Sequence, residues 1–290
     1  MGRQTANKQP REARRGPALV MRYLLKYVAL AIAAFLVIVV LMMWFENLLV
    51  YPTWQIPPGD WKPDAFDYEE AEFTSSDQTR LHGWYFDHPR PRAHVLYCHG
   101  NGEDVSHLGD YMDELRARYE IAIFAFDYRG YGKSRGKPQE AGVIADGCAA
   151  HAWLAQRAGI PQERVVLWGR SIGGAVAVQL AVRNGARGLV LERTFANLPD
   201  VAARHYPWLP VKRLMRNRFD SLAVIGAYRG PLLQSHGTAD EIVPHASGRA
   251  LFARSASHTK KFVDLTDVSH NGPNTEEYYN ELQRFIGDLP

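Results

Sequence analysis

Cysteine is nearly absent from this 290-residue chain, which has only Cys98 and Cys148. Two cysteines exclude a disulfide-stapled scaffold and leave no ligand set for a zinc finger or an iron–sulfur cluster. A strong excess of charge of one sign is missing from most of the chain as well. The 34 Lys plus Arg exceed the 31 Asp plus Glu by three, but that excess is confined to the start. Residues 1–26 carry Arg3, Lys8, Arg11, Arg14, Arg15, Arg22 and Lys26 against one acid, Glu12; residues 27–290 hold 27 basic and 30 acidic residues. A nucleic-acid-binding domain shows its basic face on the folded part, so no nucleic-acid partner is expected of this slightly acidic body. Internal repeats and low-complexity tracts are lacking too. Apolar residues are plentiful, at 46% of the chain, enough to bury a sizeable core in one large domain or two small ones.

The longest apolar run is Tyr27 to Phe45, 19 residues without a charge. As a helix it would measure about 28 Å, close to the roughly 30 Å of a bilayer's hydrocarbon. Tyr23 and Tyr27 at one end and Trp44 and Tyr51 at the other suit the interfacial aromatic belts. A cleaved signal peptide has a shorter apolar region and a small-residue cleavage site, whereas Glu46-Asn47-Leu48-Leu49-Val50-Tyr51 follows here. The run is therefore expected to be a retained transmembrane signal anchor. Basic residues favour the cytoplasmic flank, which puts 1–26 in the cytoplasm as a basic leader and 46–290 on the other side.

Residues 46–63 contain Pro52, Pro57, Pro58, Gly59 and Pro63 and read as a stiff linker or strap. Beyond it, short β-branched and aromatic runs predict strands at 69–74, 80–86, 93–98, 121–127, 164–168, 188–192, 231–235 and 261–265. Helices are expected at 105–118, 140–158, 172–184, 197–205, 246–256 and 275–287. An opening hairpin followed by alternating strands and helices predicts an α/β domain over 64–290, its mostly parallel sheet covered on both faces.

The strongest local signal is Gly169-Arg170-Ser171-Ile172-Gly173, set between the apolar Val165–Trp168 and the small-residue run Gly174–Val178. A G-x-S-x-G between strand and helix is a nucleophile elbow, whose tight turn exposes the serine at the sheet's carboxyl edge. A serine hydroxyl needs a base, and the base needs a carboxylate to orient it. His270 lies in the loop Asp267–Gly272 directly after the strand at 261–265, and Asp240 lies in the loop after the strand at 231–235. Ser171, Asp240 and His270 are thus the candidate catalytic residues, with Glu241 and Glu192 as substitutes for Asp240. An oxyanion hole needs two backbone N–H donors. Ile172 supplies one, and the loop His99-Gly100-Asn101-Gly102 supplies the other from Asn101, with Gly102 as the next candidate.

These residues carry a resemblance. HGNG at 99–102, FDYRGYGKS at 126–134, GRSIGG at 169–174, HGTADEIVP at 236–244 and SHN at 269–271 resemble, in order and spacing, the Bem46-like branch of the α/β-hydrolase superfamily, which includes ABHD-type serine hydrolases. The resemblance spans roughly residues 64–287. It implies the α/β-hydrolase fold with an eight-stranded, mostly parallel sheet and the triad Ser171, Asp240 and His270. Several members carry one N-terminal membrane anchor, and the resemblance gives Asp127 and Arg129 a structural role in the turn after the fourth strand. Glu192-Arg193-Thr194-Phe195 departs from the serine–proline pair of many relatives.

The expected activity is that of a membrane-anchored serine hydrolase acting on carboxylic esters or thioesters, with no metal and no cofactor. Its partners would be the bilayer, through residues 27–45, and an acyl substrate, either a lipid or an acylated protein. Only 38 residues separate the strands at 188–192 and 231–235, enough for a helix or two and too few for a large lid. The basic stretch Lys212–Arg218 lies among them. The same triad would serve a peptidase or amidase, and a hydrolase-shaped binding protein is the reading from a different class. No substrate-binding residue is singled out.

Overall fold

The computed structural model describes residues 17–290; residues 1–16, which hold most of the basic leader, lie outside the described part. The chain divides after Phe45. The first unit is the helix α1 (Pro17–Trp44). Its stretch Leu19–Trp44 contains an 18-residue window with a mean hydropathy of 2.8 and is long and apolar enough to cross a membrane.

The second unit, Glu46–Pro290, is built on one eight-stranded sheet. Its strands are β1 (Glu69–Thr74), β2 (Arg80–Phe86), β3 (His94–Cys98), β4 (Ala122–Asp127), β5 (Val166–Arg170), β6 (Gly188–Glu192), β7 (Leu232–Gly237) and β8 (Lys260–Leu265). The helices are α2 (Glu46–Val50), α3 (Gly109–Tyr119), α4 (Glu140–Ala158), α5 (Ile172–Asn184), α6 (Leu198–His205), α7 (Val211–Leu214), α8 (Ser221–Val224), α9 (His245–Arg254) and α10 (Glu276–Gly287).

The strands lie in the order β1-β2-β4-β3-β5-β6-β7-β8. Pairs β1–β2 and β2–β4 are antiparallel and all others parallel. Central strands covered on both faces must be apolar on both, and every residue of β4, β6 and β7 is buried. One buried cluster joins Leu96, Phe124 and Leu167 to α4 and α5; another joins Trp84, Val95 and Trp168 to α3 and α10. Cutting a side chain such as Leu167 back to alanine in such a core costs about 2–5 kcal/mol.

This topology locates the site. After β3 the chain turns to one side to form β4, then crosses back to form β5 on the other side. Ligands of such sheets bind at the carboxyl ends of the strands, where the order reverses. Ser171 follows β5 and His99–Gly102 follow β3, flanking that point.

Two elements begin two or more residues later than their sequence suggests, for local reasons. β5 starts at Val166 because Gln162–Arg164 form a 3₁₀ turn closed by Arg164 N–H on Pro161 O. α3 starts at Gly109, behind a 3₁₀ turn at Val105–His107 capped by Asp104, which accepts from the Ser106 N–H. The strap at 46–63 also holds more structure than its prolines suggest. It contains α2 and a 3₁₀ turn at Thr53–Gln55, and Glu46 and Tyr51 are buried.

Candidate active site

The backbone at Ser171 has φ 54° and ψ −119°, a region that costs a non-glycine residue about 1–3 kcal/mol and persists only when neighbours enforce it. Three hydrogen bonds do so. The Ser171 N–H donates to Glu192 O (2.9 Å), while Ser171 O accepts from Gly174 N–H (3.0 Å) and from Thr194 Oγ1 (2.7 Å). The flanking glycines are sterically required. A Cβ on Gly169 would stand 2.2 Å from Gly173 O, and one on Gly173 would stand 2.0 Å from Cys98 O. Thr194 comes from the segment that departs from the family's serine–proline pair, and here it braces the nucleophile's backbone.

His270 reaches Ser171 because the loops after β7 and β8 are joined. Thr238 N–H donates to Leu265 O (2.9 Å), Ala239 N–H to Val268 O (3.2 Å), and Asp267 N–H to Thr238 Oγ1 (2.8 Å). The His270 ring then lies with Nδ1 2.8 Å from Asp240 Oδ2 and Nε2 3.1 Å from Ser171 Oγ. An ionised carboxylate only accepts, so Nδ1–H donates to Asp240 and Nε2 is left to accept from the serine hydroxyl. Burial by itself would raise the Asp240 pKa. Hydrogen bonds from His236 and His270, the charge of His270 and the Val243 N–H outweigh it and hold the carboxyl well below the usual carboxylate range.

Neither substitute carboxylate takes that place. Glu192 is buried at the end of β6, accepting from Trp168 Nε1 (3.0 Å) and the Tyr278 hydroxyl (2.5 Å). Glu241 meets the backbone N–H of His270 at 3.4 Å. Cys98, buried at the end of β3, is no rival nucleophile, because burial pushes its thiol pKa far up and the thiolate is the reactive form.

Among the described residues, the Ile172 and Asn101 N–H groups donate to no protein acceptor, whereas Gly100 N–H is taken by Glu103 Oε1 (2.8 Å). The elbow and the HGNG loop are in direct contact, as the tight fit of Gly173 against Cys98 O and His99 O requires. A Cβ on Gly102 would meet nothing within 4 Å, so no steric demand for glycine exists there. The Asn101 side chain is fixed at both ends. Its Nδ2 donates to Val50 O (2.6 Å), and its Oδ1 accepts from the Tyr131 hydroxyl.

Three residues of the site were not singled out from the sequence. His236 is fully buried, with Nε2 3.2 Å from Asp240 Oδ2 and 3.0 Å from Val243 O. Arg170 is the first variable position of the elbow. Its Nη1 meets the Glu103 carboxylate (3.2 and 3.3 Å), and its Nη2 meets His270 O (3.3 Å) and Asn271 Oδ1 (2.9 Å). It thereby ties the His270 loop to the HGNG loop through Glu103. Val50 is the third, and its sequence gives no signal, because it acts through a backbone carbonyl. His236 and Arg170 did carry a signal in their positions inside the two motifs.

Asp127 and Arg129 hold their turn together. Asp127 accepts from Val105 N–H (2.9 Å) and Lys133 N–H (3.3 Å), with His82 Nδ1 also 3.3 Å away. Arg129 forms a buried two-pronged pair with Asp146 and reaches Asp77. Among the described residues no group of three or more His, Cys, Asp or Glu is placed to hold a metal ion.

A half-buried serine on a strained strand–helix turn at the carboxyl edge of this sheet defines an α/β-hydrolase fold. The family profile described as serine aminopeptidase, S33, matches residues 89–224. An uncharacterized protein of Mycobacterium tuberculosis is 38% identical over 201 residues, 69% of this chain and 71% of that one. The protein bem46 of Schizosaccharomyces pombe is 31% identical over 241 residues, 78% of this chain and 80% of that one. An esterase of Pyrococcus furiosus has the same fold, with a TM-score of 0.67 over 81% of this chain and 96% of its own, at 20% identity. The chain belongs to the Bem46-like family of α/β-hydrolases.

Proposed function

We propose that the chain is a membrane-anchored serine hydrolase of carboxylic esters or thioesters, working through Ser171, His270 and Asp240. The observation that carries this reading is the unbroken line from Asp240 Oδ2 through His270 to Ser171 Oγ, with contacts of 2.8 and 3.1 Å. Ser171 Oγ attacks the acyl carbon while its proton passes to His270 Nε2. The carbonyl oxygen takes the negative charge and turns toward the Ile172 and Asn101 N–H groups, each such donor being worth about 10²–10³ in rate. His270 then gives its proton to the departing alcohol or thiol, leaving an acyl ester on Ser171. Water, deprotonated by His270, attacks that ester; the acid leaves and the proton returns to Ser171. Asp240 stays ionised throughout, holding the ring and stabilising its charged form.

In the proposed organisation residues 1–26 are a cytoplasmic leader, 27–45 the anchor, 46–63 the strap and 64–290 the catalytic domain on the non-cytoplasmic side. Support for the anchor is the length and hydropathy of α1 and the basic leader before it. Carbonate extraction tests it: the intact chain stays with the membrane, and release into the soluble fraction overturns the anchor. A panel of short p-nitrophenyl esters, thioesters and anilides tests the chemistry, with ester or thioester turnover expected to lead. A second reading, a serine peptidase or amidase, is favoured by the description of the matching family profile. Anilide or peptide turnover exceeding that of esters would select it, and no turnover of any member would favour a hydrolase-shaped binding protein.

A further inference from the structure

Within residues 46–290 the large apolar side chains left exposed are Leu48, Leu49, Trp54, Tyr206, Trp208 and Ile242. They fall in three segments that the fold ties to one another and to the active site. The segment after the apolar helix is locked to residues 216–217. Glu46 Oε1 accepts from the backbone N–H of Arg216 (2.8 Å) and Asn217 (2.7 Å), and the Asn217 side chain also bonds Glu46, Asn47 and Tyr51. Residues 205–218 in turn meet the Asp240 loop, where His205 Nε2 donates to Ile242 O (2.9 Å). Val50 O holds Asn101, and Ile242 stands two residues from Asp240. The exposed apolar side chains therefore sit on segments bonded to the loops that carry Asn101 and Asp240.

The same segments carry Lys212, Arg213, Arg216 and Arg218, all exposed, and residues 205–219 contain no acid. Of the acids nearby, Asp200 pairs with Lys212 (2.6 Å) and Glu46 with Arg216 Nε (3.1 Å). Glu140 accepts from the Arg218 and Phe219 N–H groups (2.5 and 2.9 Å). The others are Asp220 and Glu241, the latter exposed beside Ile242. Among the four basic side chains, Lys212 and Arg216 are thus partly neutralised. Aromatic and aliphatic side chains beside a basic stretch match the layered chemistry of a lipid surface, with an apolar layer under negative headgroups. A soluble monomer rarely gathers such residues on segments bonded to one another. We propose that α2 with the turn after it, residues 205–218 and Ile242 form one docking surface for an anionic bilayer, placing the mouth of the Ser171 cleft against the lipid. A bilayer-resident acyl ester would then reach Ser171 without crossing water. This deepens the membrane-anchored reading and rests on the apolar helix bringing the chain to the bilayer.

The test uses the full chain in phosphatidylcholine vesicles, with and without phosphatidylglycerol, whose acyl chains carry bromine to quench tryptophan on contact. Flotation is measured first and fluorescence second, neither depending on hydrolysis. The wild type should float and be quenched. Trp54→Phe/Trp208→Phe should lose part of that quenching, whereas Trp153→Phe, partly buried and packed on the core against Phe124, should lose none. Lys212→Glu/Arg213→Glu should reproduce the loss on vesicles with phosphatidylglycerol, as should raised salt, because charges at a surface are screened within about 10 Å at 0.1 M salt. A chain that floats but is quenched equally with and without Trp54 and Trp208 overturns the docking surface and leaves the anchor standing. A chain that does not float overturns both. A dimer crosslinked through Trp208→Cys on vesicles, with no quenching change, would assign the surface to a second copy instead.

Discussion

Asp240 Oδ2 lies 3.2 Å from His236 Nε2, on the same oxygen that receives His270 Nδ1 at 2.8 Å. His236 thus serves the carboxylate from behind while His270 serves it in front. Removing His236 takes away a donor from a buried carboxylate and leaves a hollow beside Gly248, whose Cα carries no side chain because a Cβ would stand 2.4 Å from His236 Nδ1. His236→Ala should lower stability by about 1–3 kcal/mol, the cost of a buried polar group left without its partner. It should also lower kcat more than it raises KM, since the group acts through His270 rather than on substrate. Ester kinetics alongside thermal unfolding check this, and His236→Asn should recover part of both.

The low pKa of Asp240 has a consequence for stability against pH. Burial raises this pKa but hydrogen bonds from His236, His270 and Val243 and the charge of His270 outweigh it, so the folded value lies well below the usual carboxylate range. The unfolded chain therefore binds the proton more readily than the folded one. The contribution is fully present above about pH 5 and is lost as pH falls from about 4 toward the folded value. Glu46 behaves with the same sign: its burial is outweighed by hydrogen bonds from Asn217 and Arg216. Denaturant unfolding at several pH values should show a steep acid limb for the wild type and a shallower one for Asp240→Asn and for Glu46→Gln.

The glycines of the two motifs should respond very differently to alanine. At Gly169 and Gly173 an added methyl meets backbone atoms at 2.2 and 2.0 Å, which cannot give way cheaply. Each substitution should cost about 1–3 kcal/mol or more and displace Ser171. At Gly102 the methyl meets nothing within 4 Å, and Gly102→Ala should stay within about 0.5 kcal/mol of the wild type. Chemical denaturation of the three variants distinguishes these outcomes.

Asn101 is held by Val50 O and the Tyr131 hydroxyl, and its backbone N–H is the proposed second oxyanion donor. Asn101→Ala keeps that N–H but removes both restraints on where it points. A misplacement of this kind should cut kcat by about 10-fold or more while KM changes little, as expected for a contact made mainly in the transition state. Tyr131→Phe should show part of the same effect, and the double variant should fall short of the product of the two. Steady-state ester kinetics on the four proteins measure the coupling.

Most of the sheet was legible because buried strands are short, apolar and β-branched. β1, β2 and β6 lie on the residues read from sequence, and α4 and α5 do as well. Local turn chemistry made the two largest shifts at an element's start: the 3₁₀ turn at Gln162–Arg164 delayed β5 by two residues, and Asp104 set a turn ahead of α3. The short helices α2, α7 and α8 were not legible, since four or five residues leave no hydrophobic period to read. The proximity of Ser171, Asp240 and His270 followed from motif order on a known edge. Their bracing did not, because Thr194, Arg170 and Val50 act through backbone atoms and cross-loop contacts that only the folded chain brings together.

The central claim is that Ser171 is the nucleophile and that His270 activates it. Intact mass after treatment with a fluorophosphonate tests it most directly, since this reagent modifies a serine only when a base activates it. The wild type should gain one phosphonyl group that peptide mapping places on Ser171. Ser171→Ala, still folded by circular dichroism, should gain none, and His270→Ala should gain it far more slowly. Undiminished labelling of Ser171→Ala, or full-rate labelling of His270→Ala, would contradict the claim.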